Sequence, residues 1–202
     1  MSGKFITLEG MDGAGKSTHI PHIIAILQAQ GHEVISTREP GGTSLGERLR
    51  ELVLHEPMRA DTEALLMFAA RQEHIECVIK PALARGAYVL SDRFTDATYA
   101  YQCGAKGVAA NKIEALEQWV QGDFQPDLTL LFDVPVEVSV QRLRAARSPD
   151  KFERENADFF SRIRQAYLQR AAENPVRFRV IDANKTLAEV SKVIEGIVLT
   201  IC

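Results

Sequence analysis

The sequence has little cysteine, no long apolar run and no excess of positive charge, and each shortage argues against a class of protein. Cys77, Cys103 and Cys202 are scattered, without C-x-x-C spacing, which favours reduced thiols in a cytoplasm over a disulfide framework. No apolar run approaches the roughly twenty residues that a membrane-spanning helix needs. We therefore expect a cytoplasmic protein with no signal peptide and no membrane partner.

The charge balance argues against an electrostatic grip on nucleic acid. The net charge is −3, with 24 Lys and Arg against 27 Asp and Glu, whereas nucleic-acid-binding domains are usually basic. The five histidines form no H-x-x-x-H pair, so no structural metal is expected. A length of 202 residues is most simply a single domain over residues 1–202.

What the sequence does contain is a phosphate-binding pattern at the end of a short apolar run. It reads Gly-Met-Asp-Gly-Ala-Gly-Lys-Ser over residues 10–17 and fits the P-loop pattern G-x-x-x-x-G-K-[ST]. Glycines let backbone N–H groups turn toward phosphate oxygens, and the helix that follows adds its positive dipole end. Lys16 can bridge the outer phosphates, and the Ser17 hydroxyl can ligate Mg²⁺. The predicted nucleotide-binding residues are Gly10, Met11, Asp12, Gly13, Ala14, Gly15, Lys16, Ser17 and Thr18.

Short apolar strands alternate with helical segments along the chain. Strands are predicted at residues 4–9, 33–37, 87–91, 127–134 and 177–181. Helices are predicted at residues 16–30, 44–55, 61–85, 95–102, 111–121, 136–146, 159–173 and 186–200. Asp61 is the expected cap of the third helix. This alternation predicts an α/β, doubly wound parallel sheet with helices on both faces and a ligand beyond the carboxyl ends of its strands.

Polar clusters follow the predicted strands, at the edge where the ligand is expected. Asp12 lies beside the phosphate loop, a turn-rich loop follows at residues 38–43, and Asp92 and Arg93 follow the third strand. An Asp-Arg pair alone is often only a surface salt bridge. A charged, proline-containing segment after residue 146 predicts a mobile lid at about residues 144–155, whose cations could close over a transferring phosphoryl group.

The third predicted helix carries an arginine within an apolar stripe. Ala64, Phe68, Arg71 and Ile75 recur at helical spacing. Phe68 and Arg71 could stack on and hydrogen-bond a nucleobase, or they could be a core phenylalanine and an arginine that packs by its stem. The pattern alone leaves both interpretations open.

These motifs together resemble those of the bacterial thymidylate kinase family. The resemblance covers nearly all of the chain and rests on residues 9–17, Thr-Arg-Glu-Pro-Gly-Gly-Thr at 37–43, Phe-Ala-Ala-Arg at 68–71 and Asp-Arg-Phe at 92–94. It implies a five-stranded sheet of the P-loop kinase type, a homodimer, ATP and Mg²⁺ as donor, and conversion of dTMP to dTDP for dTTP synthesis.

The resemblance also implies roles for acceptor-side residues. Phe68 would stack on thymine, Arg71 would bond its carbonyl edge, and Thr98 would face its polar edge. Tyr101 would crowd the 2′ position of the sugar and so favour deoxyribose. Arg38 would bind the acceptor phosphate or shape its loop, and the Glu39-Pro40 bond is a candidate cis peptide.

Further roles concern catalysis, metal and donor. The residues implied for catalysis are Lys16, Arg93, Asp92, Asp12 and Arg147, with Arg93 holding the dTMP phosphate. Those implied for the metal are Ser17, Asp12 and Glu153. Arg142 and Asn184 fall where the family receives adenine, and which lid cation contacts phosphate stays open.

Two alternatives remain open at the level of sequence. The first is a kinase for another nucleoside monophosphate, such as UMP or dUMP. The second is a non-catalytic nucleotide-binding switch, which is weakened because residues 184–187 lack the aspartate of a guanine-reading N-K-x-D motif. The Lys16, Ser17, Asp92 and Arg93 set also counts against a non-catalytic module.

Overall fold

A computed structural model describes residues 3–146, 152 and 156–202, and its strands form one sheet in which every pair is parallel. The strands are β1 (Phe5–Glu9), β2 (Val34–Arg38), β3 (Tyr88–Asp92), β4 (Leu128–Asp133) and β5 (Phe178–Asp182), in the spatial order β2-β3-β1-β4-β5. The predicted strands and their parallel arrangement are confirmed, each to within one residue at either end.

Helices flank the sheet, and two of them run on into short π-helical segments. The α-helices are α1 (Lys16–Ala29), α2 (Ser44–His55), α3 (Ala60–His74), α4 (Lys80–Ala84), α5 (Thr95–Thr98), α6 (Ala110–Val120), α7 (Val136–Ala146), α8 (Ala157–Glu173) and α9 (Leu187–Val198). The π segments are π1 (Ile75–Ile79) and π2 (Tyr99–Ala105). Within the described ranges, no helix has the length and apolarity needed to cross a membrane.

The long helix predicted at residues 61–85 is wrong in its regularity and in its cap. It divides into α3, π1 and α4, and Pro81 lies in the first turn of α4. Proline lacks an N–H and its ring clashes with the preceding turn, so a wider turn ahead of it relieves the conflict. The helix begins at Ala60 after Arg59, so Asp61 lies in the first turn, where it complements the helix dipole, and is not the cap.

The central strand β1 has helices packed against both of its faces. Phe5 lies in a buried cluster with Ile75 and Ile79 of π1, whereas Ile6 lies in a larger cluster with Ile23 of α1. Successive strand residues point to opposite faces, so burial on both sides explains why β1 is apolar almost throughout. This packing leaves the carboxyl ends of β1 and β3 side by side, and the candidate site is built there.

Candidate active site

The phosphate loop follows β1 and begins α1, as predicted. Gly10, Gly13 and Gly15 have φ values of 133°, 77° and 95°, which other residues adopt only with strain. Lys16 lies across the loop, and its Nζ donates to the carbonyl oxygens of Gly10 at 2.8 Å and Met11 at 3.1 Å. Burial, followed by the charge of Arg93, lowers the pKa of Lys16. The lysine head is therefore held at the loop by groups that an incoming phosphate can replace.

The remaining loop residues divide between backbone and side-chain roles. Met11 and Ala14 are 2% and 1% exposed, so they can offer a ligand only backbone groups. Ser17 and Thr18 are exposed at the start of α1. Their hydroxyls are therefore accessible at a helix N-terminus, where an anion is stabilised.

Arg93, directly after β3, links the phosphate loop to π2. Its Nη2 donates to Asp12 Oδ1 at 2.6 Å and to Tyr101 Oη at 3.0 Å. Tyr101 Oη donates in turn to Asp12 Oδ2 at 2.9 Å, and the Arg93 guanidinium lies 4.7 Å from the centre of the Tyr101 ring. Asp12 of the phosphate loop therefore forms one cluster with two predicted site residues, Arg93 and Tyr101, from a distant part of the chain.

Two carboxylates in and next to this cluster, those of Asp12 and Asp92, can act as oxygen ligands. Burial alone would raise the pKa of Asp12, but Arg93 and Lys16 outweigh it and lower that pKa to about 2. Asp12 is therefore ionised at neutral pH. Asp92 Oδ1 is buried without a hydrogen-bond partner among the described residues, so it too can accept a ligand.

A cavity next to this cluster is lined by residues of α3, α5 and π2. Of the residues predicted to bind substrate, Arg71, Arg93, Thr98 and Tyr101 line it, together with Met67. Arg71 Nη2 donates to Thr98 Oγ1 at 3.0 Å, while Arg71 Nη1 is buried without a partner in the described part of the chain. The cavity thus combines apolar walls with a donor that a ligand carbonyl can satisfy.

Phe68 is the predicted substrate residue that the structure places differently. It is 1% exposed and packs in a cluster with Ala64 and Ile113, and the Arg71 guanidinium lies 4.7 Å from its ring centre. Successive residues of a helix point about 100° apart, so Met67 faces the cavity where Phe68 does not. Phe68 therefore supports Arg71 from behind, and the described wall of the cavity has Met67 at this point.

Arg38 faces a second hollow, separate from the cavity of Arg71. Its Nη2 donates to Glu47 Oε2 at 2.8 Å, and it shares the hollow with Thr37 and Asp92. This position suits a role in shaping its loop. The Glu39-Pro40 peptide bond is cis, which confirms the sequence-based hypothesis.

On the other side of the phosphate loop, Arg142 connects the loop to the segment after β5. Its Nη2 donates to the Ala183 carbonyl oxygen at 3.1 Å, and its Nη1 to that of Gly13 at 3.5 Å. With Thr18 and Lys185 it lines a third hollow. Asn184 is exposed, and its backbone N–H donates to Asp182 Oδ1 at 3.1 Å, so the structure brings its neighbours to this hollow and leaves its own side chain outside.

Two predicted site residues, Arg147 and Glu153, lie outside the described residues, as does most of the predicted lid. Phe152 is described, and it lies against the acceptor-side cavity with its ring centre 5.9 Å from that of Tyr101.

Sequence reasoning missed the support behind Arg93. Tyr167 of α8 accepts from Arg93 Nη1 at 3.4 Å and donates to Glu9 Oε2 at 2.8 Å. Burial, then the charge of Asp96, raises the pKa of Glu9 to about 8. The helical spacing of Tyr167 with Ile163 indicates only a core position, so nothing in the local sequence identifies this link.

An all-parallel sheet, a phosphate loop after β1 and two pockets that are lined in part by residues of this loop define a P-loop phosphotransferase. Comparison with known proteins makes this specific: the chain belongs to the thymidylate kinase family, whose sequence model matches residues 8–194. Thymidylate kinases are ATP-dependent nucleoside monophosphate kinases, and the chain is an enzyme of that class.

Individual relatives match over almost the whole chain. A thymidylate kinase of Methylobacillus flagellatus is 68% identical over 192 residues, covering 95% of each chain. One of Cupriavidus taiwanensis is 61% identical over 203 residues, covering 100% of each. A crystal structure of thymidylate kinase from Ehrlichia chaffeensis superposes with a TM-score of 0.77 at 31% identity, covering 100% of this chain and 99% of that one.

Proposed function

We propose that the chain transfers the γ-phosphoryl group of ATP to dTMP in the cleft between the Arg142 hollow and the Arg71 cavity. The observation that carries this proposal is that the phosphate loop adjoins both: its Asp12 lines the Arg71 cavity with Arg93, and its Gly15 lines the Arg142 hollow. The donor phosphates would occupy the phosphate loop, and the dTMP phosphate would approach from the side of Arg93.

The chemistry requires charge neutralisation more than a base. The dTMP phosphate is already an anion near neutral pH, so transfer depends on alignment of the two phosphates and on neutralising the charge between them. Lys16 and Arg93 supply fixed positive charge at the two sides, and their burial strengthens its effect on the transferring group. Arg147 would add a lid cation that helps to exclude water as a competing acceptor.

Oxygen ligands suited to Mg²⁺ are present. Hard cations prefer carboxylate, hydroxyl, phosphate and water oxygens, and the unpartnered Asp92 Oδ1, the ionised Asp12 and the exposed Ser17 hydroxyl fit this set. No group of three or more His, Cys, Asp or Glu that could hold a metal occurs in the described ranges. Bound Mg²⁺ would neutralise donor phosphate charge, with Glu153 as a further expected contributor.

The acceptor base is assigned to the cavity beside α3. Arg71 would donate from Nη1 to a base carbonyl, with Thr98 beside it, and Met67 would supply the apolar contact that sequence reasoning assigned to Phe68. Tyr101, 5% exposed and fixed by Asp12 and Arg93, would leave little room for a 2′-hydroxyl. Arg142 would cover the adenine on the donor side.

We also propose that the chain forms a homodimer in the cytoplasm. Trp119 on α6 is 83% exposed and Leu65 on the neighbouring α3 is 54% exposed, and such apolar exposure is commonly covered in an assembly. Light scattering of the wild type and of Trp119→Glu tests this proposal. We expect a dimer for the wild type and a shift toward monomer for the variant, whereas a monomeric wild type would contradict it.

The proposed reaction is tested by ADP release with ATP, Mg²⁺ and either dTMP, dUMP, UMP or AMP as acceptor. We expect dTMP to be the best acceptor and UMP to be slower than dUMP, because only UMP carries the 2′-hydroxyl. Equal or faster turnover of UMP would support the alternative of a kinase for another monophosphate. ADP release that no acceptor stimulates would support a nucleotide-binding module.

A further inference from the structure

A chain of buried polar side chains lies behind Arg71, and the proposed transfer reaction does not use it directly. Arg71 Nε donates to Glu39 Oε2 at 2.8 Å, and Glu39 Oε1 pairs with His74 Nδ1 at 2.9 Å. His74 Nε2 pairs with Thr37 Oγ1 at 2.7 Å. Arg71, Glu39 and His74 are 2%, 5% and 0% exposed. These four side chains therefore form a network that runs from β2 and the loop after it to the wall of the acceptor cavity.

A network of buried polar side chains of this kind contributes little to the free energy of unfolding by itself. Removing two charges from water costs free energy that their attraction repays only with good geometry, and apolar residues of similar volume often do as well. Buried ion pairs can instead fix one arrangement of their groups. Here Nε is held by Glu39 and Nη2 by Thr98, so the guanidinium cannot rotate without breaking both bonds.

What this arrangement fixes is the direction of the remaining nitrogen. Arg71 Nη1 is buried and unpartnered among the described residues, and Arg71 lines the acceptor cavity. A buried donor left without an acceptor is costly, so such an atom in a binding cavity points to a ligand that accepts. A base with a carbonyl at that position satisfies it, whereas an amino group presents a second donor.

The loop sequence is adapted to His74. A Cβ added to Gly42 would lie 2.6 Å from His74 Nε2 and 2.7 Å from Thr37 Oγ1, and Gly42 has a φ of 77°. Only glycine fits this conformation and this contact without strain. The Thr-Arg-Glu-Pro-Gly-Gly-Thr motif thus supplies Thr37, Glu39 and the space at Gly42 that the histidine requires.

We propose that Glu39 and His74 are positioning residues that orient the Arg71 guanidinium and thereby set the preference for a pyrimidine with a carbonyl, rather than an amino group, facing it. This inference rests on the proposed role of Arg71 at the acceptor base. His74 acts through Glu39: its Nδ1 is hydrogen-bonded to the carboxylate, and its Nε2 is hydrogen-bonded to the Thr37 hydroxyl. With one carboxylate oxygen held by histidine, the other is fixed for Arg71.

The test compares dTMP with 5-methyl-dCMP, which differ only where a carbonyl is replaced by an amino group and in the proton on the adjoining ring nitrogen. The readout is the ratio of kcat/KM for the two acceptors, with KM for ATP measured in parallel. We expect Glu39→Ala and His74→Leu to lower this ratio by at least about ten-fold, mainly through a higher KM for dTMP, because a misaligned donor loses its discrimination. KM for ATP should stay within about two-fold.

Two further variants separate positioning from general stability. His74→Asn places an amide N–H near the Nδ1 position, and we expect it to retain the ratio within about three-fold. Glu63→Ala removes a fully buried carboxylate that belongs to α3 and bonds Lys106 at 2.7 Å and Gln102 at 2.8 Å, outside the Arg71, Glu39 and His74 set. We expect it to lower the melting temperature without changing the ratio.

Each outcome decides the question. If Arg71→Ala abolishes the preference but Glu39→Ala retains it, the positioning role is overturned while Arg71 keeps its proposed function. If Arg71→Ala also leaves the preference intact, the proposed role of Arg71 fails as well. A ratio lowered equally by Glu63→Ala would show a general loss of packing and contradict the inference. Should His74→Leu not fold, Glu39→Ala and His74→Asn still give the answer.

Discussion

At the scale of single residues, the site contains residues whose backbone conformation or burial costs free energy, and contacts with neighbouring side chains offset that cost. Arg93 is the non-glycine residue with a positive φ, 74°, in the described part of the chain. Such strain persists only where the surroundings enforce it, and Asp12, Tyr101 and Tyr167 all bond its guanidinium. The sequence identified Asp12 and Arg93 because they follow strands. It could not identify Tyr167, whose contact depends on how α8 packs.

Replacement of Lys16 tests whether its positive charge neutralises the transferring phosphoryl group. We expect Lys16→Ala to lower kcat by about 10²–10³-fold, since a buried fixed charge of this kind carries a large share of transition-state stabilisation. Lys192→Ala, which removes an exposed charge on α9, should leave kcat unchanged. Steady-state kinetics and circular dichroism on both variants check this, and near-normal turnover of a folded Lys16→Ala would refute the role.

Two substitutions of Tyr101 test the roles of its ring and of its hydroxyl separately. Tyr101→Phe keeps the ring that we propose crowds the 2′ position and loses the bond to Asp12, so we expect a fall in kcat/KM of about ten-fold with the dUMP-over-UMP preference retained. Tyr101→Ala should relax that preference. Parallel kinetics with dUMP and UMP measure both effects, and a preference that survives removal of the ring would rule out the steric explanation.

Glu9 makes stability depend on pH. Its pKa is raised from 4.5 to about 8 in the folded protein, so between these values the folded state binds more protons than the unfolded state. The free energy of unfolding should therefore fall as pH rises through this window, by up to about 1.4 kcal/mol per pH unit. In urea unfolding from about pH 5 to pH 8, Glu9→Gln should lose less stability than the wild type. Parallel profiles would show that Glu9 does not titrate there.

At the scale of elements, the π segments show where sequence reasoning stops. Strands and ordinary helices follow from apolar periodicity and glycine boundaries, and β1 to β5 agree with the sequence to within one residue. A π turn has no such signature: residues 95–102 have the pattern of one helix, whereas the structure divides them between α5 and π2. The widened turn carries Tyr101 and packs closely on α8.

Substitution of Gly104 tests the packing of π2 on α8. A Cβ at this position would lie 2.7 Å from the Ala166 Cβ of α8, so we expect Gly104→Ala to destabilise the protein by about 1–3 kcal/mol and to disturb Tyr167, the next residue of α8. Gly196→Ala is the matched control. Its Cβ would meet nothing within 4 Å, and alanine in a helix should stabilise by about 0.5–1 kcal/mol. Thermal unfolding of both variants should give shifts of opposite sign, and equal shifts would contradict the account.

At the scale of the whole molecule, the sheet brings distant segments to one edge. The phosphate loop and the Asp92-Arg93 pair could be assigned there from sequence because each follows a parallel strand. Met67 and Phe68 could not be distinguished, since which face of α3 meets the cavity depends on the rotation of the helix. Arg71 was identified, but the Glu39 and His74 that hold it were not, because their contacts join segments more than thirty residues apart.

The central claim is that one cleft holds both nucleotides, phosphate to phosphate. It is tested most directly by the affinity of adenosine and thymidine joined through a pentaphosphate, measured by calorimetry against ADP and dTMP. We expect the joined ligand to bind at least about 100-fold more tightly than either one, as linked occupancy of two sites allows, and to compete with both ATP and dTMP. Competition with only one of them, at the affinity of the single nucleotide, would contradict the account.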